Sequence, residues 1–100
     1  MEFTYYVYLL ASTKYGYLYV GITDDILRRT HEHKTHLDPK SHTAKHNITN
    51  LVYYEVFNNV MVAVLREKKL KKWRRQWKLN LVDTNNPTWQ DLTQRLKGLH

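Results

Sequence analysis

Phe3-Thr4-Tyr5-Tyr6-Val7-Tyr8-Leu9-Leu10, the turn Ser12-Thr13-Lys14-Tyr15-Gly16 and the run Tyr17-Leu18-Tyr19-Val20-Gly21-Ile22 decide the fold. The first run is almost wholly Tyr, Val and Leu, residues that suit a pleated and buried surface, so it predicts a buried strand. The second is equally β-favouring and ends near Gly21. Two such runs joined by a short Gly-containing loop predict a β-hairpin. Side chains alternate along a strand, so Tyr6 and Tyr8 share a face, as do Tyr17 and Tyr19, with Gly21 at the same parity. A tight hairpin brings Tyr8 and Tyr19 close. On spacing alone they are a cross-strand aromatic pair that steadies the sheet. Gly21 suits a plain turn, or a place where something approaches the backbone closely.

Beyond the hairpin, Thr23, Asp24 and Asp25 offer capping oxygens, and the acidic pair suits the positive end of a helix dipole. A helix is predicted from Asp25 to Thr35. Leu37 to Thr49 is polar, contains Pro39 and reads as a loop. Asn50 to Phe57 reads as the third strand. Asn58 or Asn59 caps a helix that starts near Val60 and runs to Trp73, and a second helical stretch covers Arg74 to Val82. Asn85-Asn86-Pro87 stops it. Pro87 and Asp91 suit a last short helix through Leu96. The order is β-β-α-β-α-α-α. It predicts an α+β (mixed α/β) fold: a small three-stranded, mainly antiparallel sheet flanked by helices. At 100 residues, positions 1–100 are expected to be a single domain.

The formal net charge is +7, which favours polyanionic partners, nucleic acid first. No cysteine is present, so disulfides and thiolate metal sites are excluded and a reducing compartment is compatible. The start lacks the basic residues and apolar run of a signal peptide. No window approaches the roughly 18 apolar residues of a membrane span. The chain is expected to be cytoplasmic, with no membrane partner.

Ile26, Arg29, Thr30 and His33 fall at i, i+3, i+4 and i+7 and make one stripe on the first helix. A purely structural inner face is usually apolar, so Arg29 and His33 point to a partly polar cleft. Arg28 falls on another face and suits solvent. On the later helix, Val60, Ala63 and Val64 set an apolar stripe that Glu67 joins. Glu67 is the only acid between Asn58 and Val82. An unpaired buried carboxylate costs several kcal/mol. Glu67 therefore needs a cation: Arg29, a lysine such as Lys71, or a metal ion. Around it Arg66, Lys68, Lys69, Lys71, Lys72, Arg74, Arg75 and Lys78 are interleaved with Trp73 and Trp77. Such a run suits a phosphate-facing patch, with the tryptophans expected in the core. His31, His33, His36, His42 and His46 lack acidic or cysteine partners at a recognisable zinc spacing.

The ordered set resembles the GIY-YIG nuclease superfamily, in its compact stand-alone bacterial branch. Tyr6-Val7-Tyr8, then Tyr19-Val20-Gly21, is similar to the paired GIY and YIG elements. Thr23 to Arg29 with His33 is similar to the helix signature. Leu51 to Glu55, Arg66 to Trp73 and Asn86-Pro87-Thr88-Trp89 resemble the compact branch. The likeness spans nearly the whole chain. It departs at Tyr6 for the initial Gly, at Val20 for Ile, and at Ile22, where repair members often carry a lysine.

The resemblance implies a divalent-metal-dependent endonuclease cutting nucleic acid, DNA before RNA, with a place in DNA repair or recombination. The alternative is a nucleic-acid-binding module that keeps the fold and cuts little. It carries the catalytic roles over to Tyr8, Tyr19, Arg29, Glu67 and His33. A single Mg²⁺ or Mn²⁺ falls to Glu67, backbone approach to Gly21, and support to Asn86. Tyr8, ahead of Tyr19, is the expected proton acceptor. Lys34, Lys68, Lys71, Lys72, Arg74 and Arg75 are expected to meet nucleic acid, and the chain to be a monomer or weak dimer.

Overall fold

The computed structural model describes residues 3–98. The two residues at each end of the expected 1–100 domain lie outside that description. Strands β1 (Tyr5–Ala11), β2 (Leu18–Thr23) and β3 (Asn50–Phe57) form one antiparallel sheet in the order β2-β1-β3. The helices are α1 (Ile26–Lys34), α2 (His42–Lys45), α3 (Val60–Lys72), α4 (Arg75–Asn85) and α5 (Thr93–Lys97). The expected mixed architecture and element order hold, with α2 added.

The central strand explains the apolar run. β1 alternates between two cores. Val7, Leu9 and Ala11 pack with Ala63 and Leu70 of α3 and Leu79 and Val82 of α4. Tyr8 and Leu10 face the other way, with Ile26 of α1 and with Leu92 and Leu96 at α5. A strand covered by helices on both faces has no solvent side, so both parities are apolar. A register shift between Leu9 and Leu10 turns the successive β3 residues Val52 and Tyr53 to the same core, with Leu51 in the other. Such a bulge re-aims neighbouring side chains.

The hairpin closes through Gly16 N–H to the Thr13 carbonyl (2.9 Å) and Ser12 N–H to the Tyr17 carbonyl (3.0 Å). Its left-handed residue is Tyr15, at φ 60°, and not the glycine. Tyr15 is tethered there: its hydroxyl donates to Asp83 at 3.1 Å, and Arg75 donates to its carbonyl at 2.6 Å. The same Arg75 amine reaches the Gly16 carbonyl at 2.8 Å. Helix α4 thus clamps the turn, and Arg75, expected at nucleic acid, holds protein backbone.

Capping follows the sequence where side chains are local. Asp25 accepts from Arg28 N–H (3.1 Å), and Asn59 accepts from Met61 and Val62. The expected loop over 37–49 contains α2, capped by Ser41 accepting from Ala44 N–H at 3.2 Å. Four residues carry too little periodicity to read from sequence. The last helix starts later than expected. Trp89 turns into left-handed backbone at φ 56°, and Asp91 accepts from Thr93 N–H and its hydroxyl. Pro87 therefore stands in the preceding loop.

Trp77 corrects the expectation that both tryptophans are core. Trp73 is half-buried against the α3–α4 core, whereas Trp77 is 51% exposed. No described helix is long and apolar enough to cross a membrane.

Candidate active site

Register builds the site. Tyr8 on β1 stands opposite Gly21 on β2, and Tyr19 stands opposite Leu10, so the two tyrosines are diagonal neighbours on one face. Their ring centroids are 6.2 Å apart. Gly21 makes this contact possible. A Cβ there would lie 2.4 Å from both Cζ and the hydroxyl oxygen of Tyr8, and 2.9 Å from Tyr19 Cε2. The glycine's role is therefore side-chain room under the tyrosine pair.

Helix α1 supplies the other wall. Ile26, Thr30 and His33 are buried along its inner stripe, with Arg29 half-exposed at the rim. Arg28 points outward, as expected. The His33 ring lies 5.4 Å from that of Tyr19 and 6.1 Å from that of Tyr8. Its Nε2 is 3.2 Å from the Tyr8 hydroxyl, and its Nδ1 is 3.2 Å from Thr43 Oγ1. Burial, then the Arg29 charge, pushes the His33 pKa down to about 4. The ring is thus neutral at pH 7. A neutral ring that accepts the Tyr8 proton at Nε2 donates from Nδ1 to Thr43, and both ring nitrogens are satisfied.

Tyr8 is fully buried, and burial, reinforced by the neighbouring Tyr19, raises its pKa to about 12 against the pull of Arg29. Arg29 donates to Glu32 at 3.0 Å and lies beside the Tyr8 and Tyr19 hydroxyls, which together hold it as a cation. Glu32 was not legible as a site residue, although its i, i+3 spacing from Arg29 was the available signal. Thr43 had no such signal, because it reaches His33 through the short helix α2.

These residues frame a cleft of about 220 Å³, lined by Tyr19, Arg29, Glu32, His33, His42 and Thr43 among others. Tyr19 borders the cleft and Tyr8 does not. The cleft is thus a cation, a neutral imidazole and a phenol around an open space. That set can bind a phosphate and manage a proton.

Glu67 stands apart. It lies on α3 between Ala63 and Leu70 on the sheet-facing stripe, in the opposite helical layer, and it does not line the cleft. Its side chain is 13% exposed and pairs with Lys71 Nζ at 2.9 Å. Of the cations its burial called for, the lysine is the one in contact. Among the described residues no three His, Asp or Glu side chains gather as a metal cage. A single carboxylate still fits a Mg²⁺ or Mn²⁺ that keeps its waters. Lys71 is 53% exposed and can swing aside.

Asn86 is buried and donates to the Val52 and Gln90 carbonyls at 3.0 and 2.9 Å, which ties the loop after α4 to β3. Lys34 pairs with Asp91 and donates to the Thr49 carbonyl at 3.2 Å. Lys68, Lys72 and Arg74 are exposed and make no ion pair among the described residues.

A tyrosine pair over a glycine stands beside an arginine and a histidine from the next helix on a small α/β fold. The GIY-YIG catalytic domain profile matches residues 4–80, so the chain belongs to the GIY-YIG family. A UPF0213 protein of Staphylococcus saprophyticus is 35% identical over 78 residues, covering 78% of this chain and 93% of the relative. One of Haloquadratum walsbyi is 32% identical over 87 residues, covering 83% and 96%. Both relatives are thus compact proteins matched almost end to end. No solved structure gives a significant match. The GIY-YIG domain is generally a nuclease catalytic domain, which implies a nucleic-acid substrate.

Proposed function

We propose that this protein is a divalent-metal-dependent endonuclease that hydrolyses phosphodiester bonds, in DNA before RNA, on intermediates of the kind met in repair or recombination. The observation that carries the reading is the cleft itself: Arg29 held between Glu32 and two tyrosines, with neutral His33 behind.

The phosphate binds at Arg29, whose charge offsets the charge that develops during attack. Water attacks phosphorus from the tyrosine side. Its proton passes to a tyrosinate oxygen as the bond to the leaving oxygen breaks. Arg29 lies beside both tyrosine hydroxyls, and its charge opposes the burial that raises Tyr8. Of the two tyrosines, Tyr19 borders the cleft and meets the water, while Tyr8 is sealed behind it. His33 does not store the proton. Burial raises Tyr8 and lowers His33, so the proton stays on the phenol. Its work is to hold the Tyr8 hydroxyl, and so the ring that backs Tyr19. Glu67, in the opposite layer, would hold a divalent cation, which would supply positive charge to the phosphodiester.

A binding module with the same fold is the competing reading, favoured by the Glu67–Lys71 pair, which already neutralises the acid. The test is cleavage of branched, nicked, single-stranded and duplex DNA with Mg²⁺ or Mn²⁺. Wild type is compared with Glu67→Ala and Arg29→Ala. We expect metal-dependent cutting, lowered about 10²- to 10³-fold in Arg29→Ala with binding retained. A wild type that binds with steep salt dependence and cuts nothing refutes the enzyme and supports the module.

A further inference from the structure

The corner between α3 and α4 holds a feature that the cleft does not use. Trp77, on the first turns of α4, is among the large apolar side chains that remain exposed, at 51%. Tryptophan is highly buried on average, so a ring held out in solvent is the informative case. Trp77 is not loose. The Trp73 ring meets it edge to face at 5.9 Å and 87°. Trp73 is in turn anchored in the core and capped by the Arg66 guanidinium, 5.2 Å above its ring. Arg66 is fixed by two 2.8 Å bonds to Glu55. A groove of about 310 Å³ runs beside the pair, floored by Asn80, Leu81 and Thr84. It is a rigid aromatic wall with an open side.

Charge decides the occupant. No acid occurs from Lys68 to Val82, while Lys68, Lys69, Lys71, Lys72, Arg74, Arg75 and Lys78 do. The nearest acids are already engaged: Glu55 by Arg66, Glu67 by Lys71, and Asp83 by Tyr15 and Trp89. Arg74 sits 5.7 Å over the Trp77 ring and adds a cation to the platform. An apolar partner alone would not need this field, and a second copy of the chain would bring like charge against it. A strand of phosphates carrying free rings meets both needs, since backbone charge answers the lysines and a base stacks on the indole.

We propose that Trp77, backed by Trp73, is a stacking site for an unpaired nucleobase, and that Lys69, Lys72 and Arg74 hold the flanking phosphates. The inference rests on the nucleic-acid reading of the protein and narrows it. The preferred substrate has a single-stranded segment that leaves the cleft and lies on the α3–α4 corner. A blunt duplex hides its base faces and cannot use the indole.

The experiment measures binding by fluorescence anisotropy in EDTA, where nothing is cut. The probes are labelled oligothymidylate and oligouridylate of about 12 nucleotides, and the blunt oligothymidylate–oligoadenylate duplex. We expect Trp77→Ala to weaken single-strand binding roughly 5- to 150-fold, the span of one lost base stack. Duplex affinity should change less than about twofold, the loss of a contact that it does not make. Trp77→Phe should restore most of the difference, because a ring remains. Lys69→Ala/Lys72→Ala should weaken every probe and flatten the salt dependence. Tighter binding of the thymidylate assigns DNA to the site, and tighter binding of the uridylate assigns RNA; either supports it. Equal single-strand affinity in Trp77→Ala overturns the proposal, as does an equal loss on single strand and duplex. A Trp77→Ala effect confined to self-association in sedimentation hands the groove to a second copy and overturns it too. Cleavage in Mg²⁺, read separately, keeps the two readings apart. Cutting without Trp77-dependent binding removes the stacking site alone. Trp77-dependent binding without cutting removes the nuclease alone.

Discussion

Gly21→Ala is the sharpest probe of the site, because its cost can be worked from distances. The added Cβ would sit 2.4 Å from Cζ and the hydroxyl oxygen of Tyr8, and 2.9 Å from Tyr19 Cε2. Ordinary carbon contacts lie near 3.5 Å, so Tyr8 must retreat by about 1 Å. It has little room to do so. The ring is fully buried, in a core shared with Leu10, Ile26 and Ile48, and its hydroxyl is held by His33 at 3.2 Å. Overpacking of this kind costs about 1–3 kcal/mol. Tyr8 backs Tyr19, and a displacement of about 1 Å passed on to that reacting group costs about 100-fold in rate. Gly21→Ala should therefore lose a few degrees of Tm and about two orders of magnitude in kcat, with substrate binding largely kept. The control is Gly98→Ala, whose added Cβ would meet nothing closer than 3.5 Å and should do neither. Thermal melts and single-turnover cleavage read the two effects separately. A Gly21→Ala protein that melts and cuts like the wild type would show that the glycine does not make room for the tyrosines, and the site as described would fail.

Two further predictions concern pH. Burial holds the folded His33 pKa down at about 4 against the ordinary 6.5, so the unfolded chain binds a proton that the fold rejects. Stability should be full above about 6.5 and should fall by up to about 3 kcal/mol as pH drops towards 4; His33→Asn should flatten that slope in urea melts, and an unchanged slope would mean that the ring is not held neutral. Glu55 is pushed up by burial, but the Arg66 and Tyr53 hydrogen bonds overcome this and hold it below the usual carboxylate range. Its contribution is present above the unfolded pKa and lost as pH falls through the lower folded value. Glu55→Gln should cost roughly 1–3 kcal/mol at pH 7, discounted because both side chains keep some solvent contact, and almost nothing in strong acid; equal losses at both pH values would refute the ion pair's role.

The fold was legible where one signal governed one element. The apolar run in β1 forecast its burial, and Asp25 and Asn59 marked the starts of α1 and α3. It was illegible where distant groups decide. Tyr15 takes the left-handed turn position beside an available glycine because Asp83, 68 residues away, and Arg75 hold it. Trp77 departs from the rule that an interleaved aromatic in a helical run packs inward: only Trp73 reaches the core, and Trp77 stays exposed. The half-polar stripe on α1 is legible, since a histidine and an arginine stand at the helical spacing of Ile26. Of its partners, Glu32 is marked only by its i, i+3 spacing from Arg29, while Thr43 pairs across a loop, which leaves no period.

Glu67 raises the question that the fold itself frames. Its burial required a cation, and Lys71 answers at i, i+4, a pair that any solvated helix could form. Yet an acid on a sheet-facing stripe is an expensive way to obtain an exposed helix pair, since leucine there would extend the core with Ala63 and Leu70. The arrangement makes sense if the carboxylate is kept for an exchangeable partner and Lys71 stands in for it. The lysine is the right substitute: half-exposed, flexible and monodentate, it leaves at low cost. An arginine there would grip both oxygens and hold the acid shut. On this argument the two layers of the domain divide the chemistry. One holds the phenols and guanidinium through Tyr8 and Arg29, the other holds the acid, and β2 with Gly21 forms the edge between them.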